Sequence, residues 1–179
     1  LRPVVQMYAT PNLLAVTPSV PVNSVQGLID HAKKNPGELF YASTGNGSSI
    51  HVSGELFKLM TGTQMVHVPF KSAALAITDL TAGRVHLMFD NINSIGPHVK
   101  AGRLRGLGVT TLERVPAFAE LPTVAESGVP GFEVTAWAGV IVPARVPNVE
   151  TRPGLNQLCV RSSTPVSSSS DRVFPAAVT

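Results

Sequence analysis

The feature that most constrains this chain is a regular alternation of two kinds of segment. Short apolar runs of four to seven residues are followed by stretches with helical spacing, each pair closed by Gly or Pro. Asn12–Thr17 is the first run, stopped by Pro18. Ser24 is a plausible N-cap for a helix with Val25, Leu28, Ile29 and Ala32 on one face, ending near Asn35-Pro36-Gly37. Leu39–Ala42 is the next run, and Ser43-Thr44-Gly45-Asn46-Gly47-Ser48-Ser49 leads into a helix with Ile50, Leu56, Phe57 and Met60 inward, closing at Gly62. Strand Met65–Phe70, helix Ala73–Ala82, strand Val85–Phe89, helix Ile95–Lys100 and strand Leu104–Thr110 continue the pattern. Repeated strand–helix–strand units with short connections predict an α/β fold, a mainly parallel sheet flanked by helices on both faces. Right-handed crossovers follow.

After Val115 the text becomes irregular, with Pro116, Pro122 and Pro130, and Thr123–Ser127 is read as one or two helical turns. Phe132–Val142 is strand-like. Residues 151–179 carry a Ser-rich run with neither helical nor strand period, so they read as disordered or poorly packed.

Hydrophobic residues are 44% and charged residues 14%, which suits a packed core rather than global disorder. The formal charge is +3, but Lys and Arg are scattered and aromatics are 6%, which argues against a nucleic-acid surface. A single cysteine, Cys159, excludes an internal disulfide and any multi-cysteine metal site. No run of 18 apolar residues and no signal peptide occur; an export signal would lie upstream of residue 1.

Ser43–Ser49 is the strongest local feature. Ligands of open α/β sheets sit at the carboxyl ends of strands, where loops enter helices. A helix start there presents unpaired N–H groups and partial positive charge to a carboxylate or phosphate. Glycines allow close backbone approach, and Ser43, Thr44, Ser48 and Ser49 add hydroxyls. The alternative is an ordinary turn with Ser48 or Ser49 as N-cap. No Gly-Lys-Ser/Thr follows and Gly45-Asn46-Gly47 lacks a third glycine, so neither a P-loop nor a dinucleotide cofactor site is indicated.

Asp90 and Asn91 end the most apolar strand on the same sheet edge. They either orient a ligand, accepting from an ammonium or hydroxyl, or form an Asx turn into the next helix. His51 and Glu55 have a two-ligand helical spacing, but His67 and His86 fall within strands and His98 on another helix. No metal site is expected, and His51 reads as a core or cleft histidine. No Gly-x-Ser-x-Gly elbow supports a hydrolase.

Tyr41-Ala42-Ser43-Thr44-Gly45-Asn46-Gly47-Ser48-Ser49-Ile50-His51, after Pro36-Gly37, resembles the signature of the Bug family, receptors of tripartite tricarboxylate transporters. Similarity continues through Gly54–Phe57, His67-Val68-Pro69-Phe70-Lys71, Asp79-Leu80, Gly83–Val85, Met88–Asp90, Lys100–Arg105, Leu121–Gly128, Trp137-Ala138-Gly139 and Pro143-Ala144, covering roughly residues 4–148. The resemblance implies a periplasmic, non-enzymatic Venus-flytrap receptor with two α/β lobes closing on a small carboxylate. Dicarboxylates, tricarboxylates, acidic amino acids or aromatic acids would be the ligands, and membrane permease subunits the partners.

Carried over residue by residue, the ligand-binding set is Ser43, Thr44, Asn46, Gly47, Ser48, Ser49 and His51. Asp90 would stand at the cleft edge, and Trp137 near a returning crossover. On this reading residues 1–15 are a crossover and remnant of the first lobe, 16–109 the complete second lobe, 110–148 a crossover with part of the first lobe, and 149–179 an atypical tail. Two departures stand out. Phe70-Lys71-Ser72 replaces the usual Pro-Tyr-Lys-Gly, and the family's first-lobe Gly-rich loop has no counterpart; residues 149–179 also do not resemble its closing amphipathic helices, as after a reading-frame change or a misassembled gene end. Weak binding, or none, is therefore expected of this chain. An α/β enzyme acting on an anionic substrate and a non-functional gene remnant are the alternatives.

Overall fold

The computed structural model describes residues 2–142, with side chains from residue 5 onward. Cys159, Pro143-Ala144 and the expected tail over 149–179 lie outside the described residues. Two compact units emerge: Ala9–Ala136 is one, and the described residues up to Tyr8 and from Trp137 belong to the other.

The elements are β1 (Arg2–Val16), α1 (Val25–Lys34), β2 (Phe40–Ser43), α2 (Ser49–Thr61), β3 (Val66–Pro69), α3 (Ala73–Thr81), β4 (Leu87–Asn91), α4 (Ile92–Lys100), β5 (Arg105–Val109) and β6 (Thr135–Val142). The sheet order is β3-β2-β4-β1-β5, and β6 also pairs with β1. β2 runs parallel to β3 and β4, whereas β1 is antiparallel to β4 and to β5. The sheet is therefore mixed. β2, β3, β4 and β5 share one direction, as strands returned by helical crossovers must, and β1 is inserted against them between β4 and β5.

Strict alternation along the central strands divides the core. Leu14, Val16, Tyr41, Leu87 and Phe89 pack with Val25, Leu28, Ile29 and Ala32 of α1 and Phe57 of α2. Leu13, Ala15, Ala42 and Met88 pack on the other face with Ala76, Ile77 and Leu80 of α3 and Ile92 and Ile95 of α4. Both faces are covered along Leu13–Val16 of β1 and Leu87–Phe89 of β4, which is why these stretches are continuous apolar runs.

Several boundaries differ from expectation. β4 starts two residues later than the Val85–Phe89 run and takes in Asp90 and Asn91, because Asn91 still pairs with Asn12 across the ladder. α4 begins at Ile92 rather than Ile95, directly after Asn91. Met60 is 40% exposed instead of inward. The face α2 buries is Ile50, Ser53, Gly54 and Phe57, and two of those positions are small or polar. Thr123–Ser127 is a hydrogen-bonded turn. Thr123 and Glu126 reciprocally bond each other's backbone N–H at 3.0 Å, and Ser127 N donates to Thr123 O.

Candidate functional site

Three helices of the larger unit begin at the rim where β2, β3 and β4 end, and each start is shaped locally. Ser48 caps α2 by accepting from His51 N at 3.2 Å, and Ser72 caps α3 by accepting from Leu75 N. Asn91 precedes α4 without a side-chain cap. The β2–α2 loop turns tightly because Gly45 and Gly47 take φ of 113° and 81°, values that a side chain with a Cβ rarely adopts.

Within this loop the candidate residues divide into two sets. Ser43 has no accessible surface. Its Oγ lies 2.6 Å from His67 Nε2 and accepts from Gly45 N at 3.0 Å. Ser48 donates its hydroxyl to Gly45 O at 2.8 Å while capping α2. Ser43 and Ser48 thus build the loop. Thr44, Asn46 and Ser49 make no side-chain hydrogen bond among the described residues, and the backbone N–H groups of Asn46, Ser49 and Ile50 also donate to nothing there. Those groups form the open donor face. Gly47 N is directed to His51 Nδ1 at 3.4 Å, so His51 closes the first turn.

Behind the loop stands a cluster that the sequence reading missed. The His67 ring stacks on Tyr41 at 4.9 Å and meets His51 at 4.5 Å. Tyr41 donates its hydroxyl to Glu55, which Lys58 also holds at 2.8 Å. Burial and the neighbouring His51 keep the His67 imidazole below the ordinary histidine range. Burial also pushes the Tyr41 hydroxyl up, helped by Glu55. Burial alone would raise Glu55, but the bonds from Lys58 and Tyr41 bring it below the usual carboxylate range. The parallel register Tyr41↔His67 is the signal that could have joined these residues, since one crossover links their strands.

Asn12 was also missed. It is fully buried on β1, donates Nδ2 to Ser53 Oγ at 3.1 Å, and Ser53 donates to Ser49 O at 2.8 Å. β1 is thereby tied to the first turn of α2. Asn12 Oδ1 has no partner.

Asp90 does share the rim, but its side chain has no accessible surface. It faces the α3–α4 side of the sheet, paired in register with Leu13, and accepts from Asn91 N at 2.8 Å through Oδ1, while Oδ2 has no partner. Burial raises this carboxyl, against the hydrogen bond from Asn91 N. A group sealed in this way does not meet solvent. Trp137 belongs to the other compact unit and is 60% exposed.

Two surface hollows lie elsewhere in the larger unit. One of about 610 Å³ is lined by Ile77, Thr78, Thr81, Ser94, His98 and Arg103, the other of about 340 Å³ by Ile92, Gly96, Lys100 and Phe118. The Ser43–Ser49 loop lines neither; it is an open rim. Among the described residues no three His, Cys, Asp or Glu side chains gather in a metal-holding group. Ser43 and His67 do form a serine–imidazole pair, but that serine is sealed from solvent and already accepts a backbone N–H, so it cannot approach a carbonyl from outside.

Residues 1–153 match the tripartite tricarboxylate transporter family receptor, TctC. The "UPF0065 protein in tcbD-tcbE intergenic region" of Pseudomonas sp. (strain P51) is 40% identical over 146 residues, 81% of this chain and 44% of that protein. Rpa4515 of R. palustris, solved with adipate, superposes with a TM-score of 0.78 at 47% identity, covering 82% of this chain and 49% of that one. The periplasmic binding protein BugD gives 0.77 at 31% identity, again over 82% and 49%. The chain spans about half the length of the relatives it matches, and these structures share its α/β architecture of a mixed sheet flanked by helices. The chain belongs to the tripartite tricarboxylate transporter receptor family, TctC.

Proposed function

We propose that this chain is the carboxylate-gripping lobe of an extracytoplasmic solute receptor. It would seat one carboxylate of a small organic acid on the β2–α2 loop while a second lobe closes over the ligand. The carrying observation is the donor face itself. Free N–H groups of Asn46, Ser49 and Ile50 sit at one helix start, beside the uncommitted Thr44, Asn46 and Ser49 side chains. Donors without partners, in a loop held by the hydrogen bonds of Ser43 and Ser48 and aided by the helix dipole, suit an anion.

The lobe is taken as Ala9–Ala136, wider than the 16–109 expected from sequence. His51 would border the carboxylate through its free ring edge. Ser43 and Asp90 would act from below, as supports. Adipate bound to Rpa4515 favours dicarboxylates as the first class to test. A periplasmic location and delivery to membrane permease subunits follow from the family. Binding without turnover is the better reading than catalysis, because the one serine–imidazole pair at the rim is closed off from substrate.

Isothermal titration of the full-length protein carrying this chain with adipate, succinate, malate, citrate, glutamate and an aromatic acid tests the proposal. At least one should bind in the micromolar range or tighter. Gly47→Val, which forces a β-branched residue into positive φ, should weaken that binding about tenfold or more. Absence of binding across the panel, or an unaffected Gly47→Val protein, would overturn it.

A further inference from the structure

Ser43 has no accessible surface, so any influence it has on a ligand must pass through the loop it organises. A continuous path can be followed. His67 Nε2 contacts Ser43 Oγ, Ser43 Oγ receives Gly45 N, Gly45 O receives the Ser48 hydroxyl and Ser48 N, and Ser48 caps α2. His67 is held in turn by Tyr41 from β2 and by His51 from α2. Glu55 and Lys58, also on α2, complete the charged surroundings of that pair.

We propose that His67 is a positioning residue for anion capture: its imidazole on β3 locks the β2–α2 loop in its donor-presenting shape through Ser43, without touching the ligand. This rests on the receptor reading above.

The chemistry favours an imidazole acceptor. Ser43 has one hydroxyl proton and two candidate acceptors. Gly45 O is 3.4 Å away and already receives Ser48, whereas His67 Nε2 is 2.6 Å away. The short contact wins, which leaves the Ser43 oxygen free to accept from Gly45 N. As the acceptor in this contact His67 carries its proton on Nδ1, and burial and the nearby His51 hold its imidazole below the ordinary histidine range. An apolar side chain at this position strands a buried hydroxyl, and the loop must reshape to satisfy it. Glutamine places an amide oxygen near the Nε2 position and does not titrate.

The full-length protein carrying this chain is titrated with each carboxylate that the wild type binds, alongside His67→Leu, His67→Gln and Ser43→Ala. His67→Leu should lose about fivefold to twentyfold in affinity, by the same factor for every ligand, and His67→Gln should stay within about threefold of wild type. Ser43→Ala should show a similar loss, and His67→Leu combined with Ser43→Ala should be no worse than either alone. Hydrogen exchange at the amides of 45–49 should quicken in His67→Leu while α1 and β4 keep their protection. If His67→Leu fails to fold, the glutamine and Ser43→Ala results still decide. Wild-type affinity in His67→Leu or Ser43→Ala overturns the inference. So do a His67→Gln loss as large as that of leucine, a loss that varies with the ligand, and unchanged loop exchange. Failure of the wild type to bind any carboxylate instead removes the receptor reading on which it rests.

Discussion

Replacing Gly54 by alanine tests how the seat is mounted on the sheet. Gly54 is buried in the middle of α2, against the flank of the Tyr41 ring. A methyl there would stand 2.5 Å from Tyr41 Cε2 and 2.8 Å from Cδ2, whereas ordinary contact begins at 3.4 Å, so ring and helix must part by nearly 1 Å. The ring has little room to yield. Tyr41 is fully buried, its hydroxyl is bound to Glu55 and its face is stacked on His67. Alanine favours a helix over glycine by about 0.5–1 kcal/mol. Overpacking a rigid core costs about 1–3 kcal/mol, and a clash with several atoms of one fixed ring belongs toward the upper end. The net expectation is a loss of about 1–2 kcal/mol, or about 3–6 °C in Tm for a chain of this size.

Urea unfolding followed by circular dichroism reads the loss as a lower midpoint at unchanged slope. The same substitution in a Tyr41→Leu background should turn neutral or stabilising, because only the helix preference of alanine is left. A Gly54→Ala protein with a raised midpoint in the natural background would refute the close packing of α2 on Tyr41.

Two further outcomes follow from the titratable groups. Burial raises the Asp90 carboxyl in the folded chain, so this group opposes folding once pH rises through its folded value. Asp90→Asn should therefore gain about 1 kcal/mol at pH 7 and little at pH 4, and thermal melts showing a loss at pH 7 would contradict this. His67 and His86 are both held below the ordinary histidine range, by burial first and then by His51 and His31 respectively. The unfolded chain then binds more protons than the folded one below about pH 6.5, so their contribution is complete above that value and is lost as pH falls through the folded values. Urea midpoints of Asp90→Asn between pH 8 and pH 5 should fall toward acid; a rise would show that these histidines are not held neutral.

Local signals were legible where one segment determines its own structure. Ser24 and the apolar positions of α1 gave the cap and the buried face together, because capping and helical spacing act within a turn or two. The start of α2 was legible for the same reason. Met60 was misassigned because the inward stripe of α2 includes Ser53, bonded to Asn12, and Gly54, pressed on Tyr41. Neither looks apolar, so hydrophobic period alone rotates the helix. The antiparallel placement of β1 was not legible, since pairing of strands far apart in sequence leaves no local trace and a strand buried on both faces reads alike in either direction.

The candidate site divides along the same line. Ser43 and Ser49 are the same residue type six positions apart, and sequence assigns both to a ligand. What separates them is the pleat and the strands beside it. Ser43 is the last residue of β2, turned under the loop toward His67, which is 24 positions away. Ser49 is the first residue of α2, where the N–H groups lack partners. A short contiguous segment can therefore announce an anion seat while the residues that hold it rigid are scattered over β1, β2 and β3. Preorganised donors bind tightly only if they stay in place when no ligand is present. Affinity in such a lobe should accordingly respond to the residues behind the loop, such as the half-buried His67 and the buried Tyr41 and Asn12, about as strongly as to those on the open rim, and a scan confined to the rim would miss half of what makes it bind.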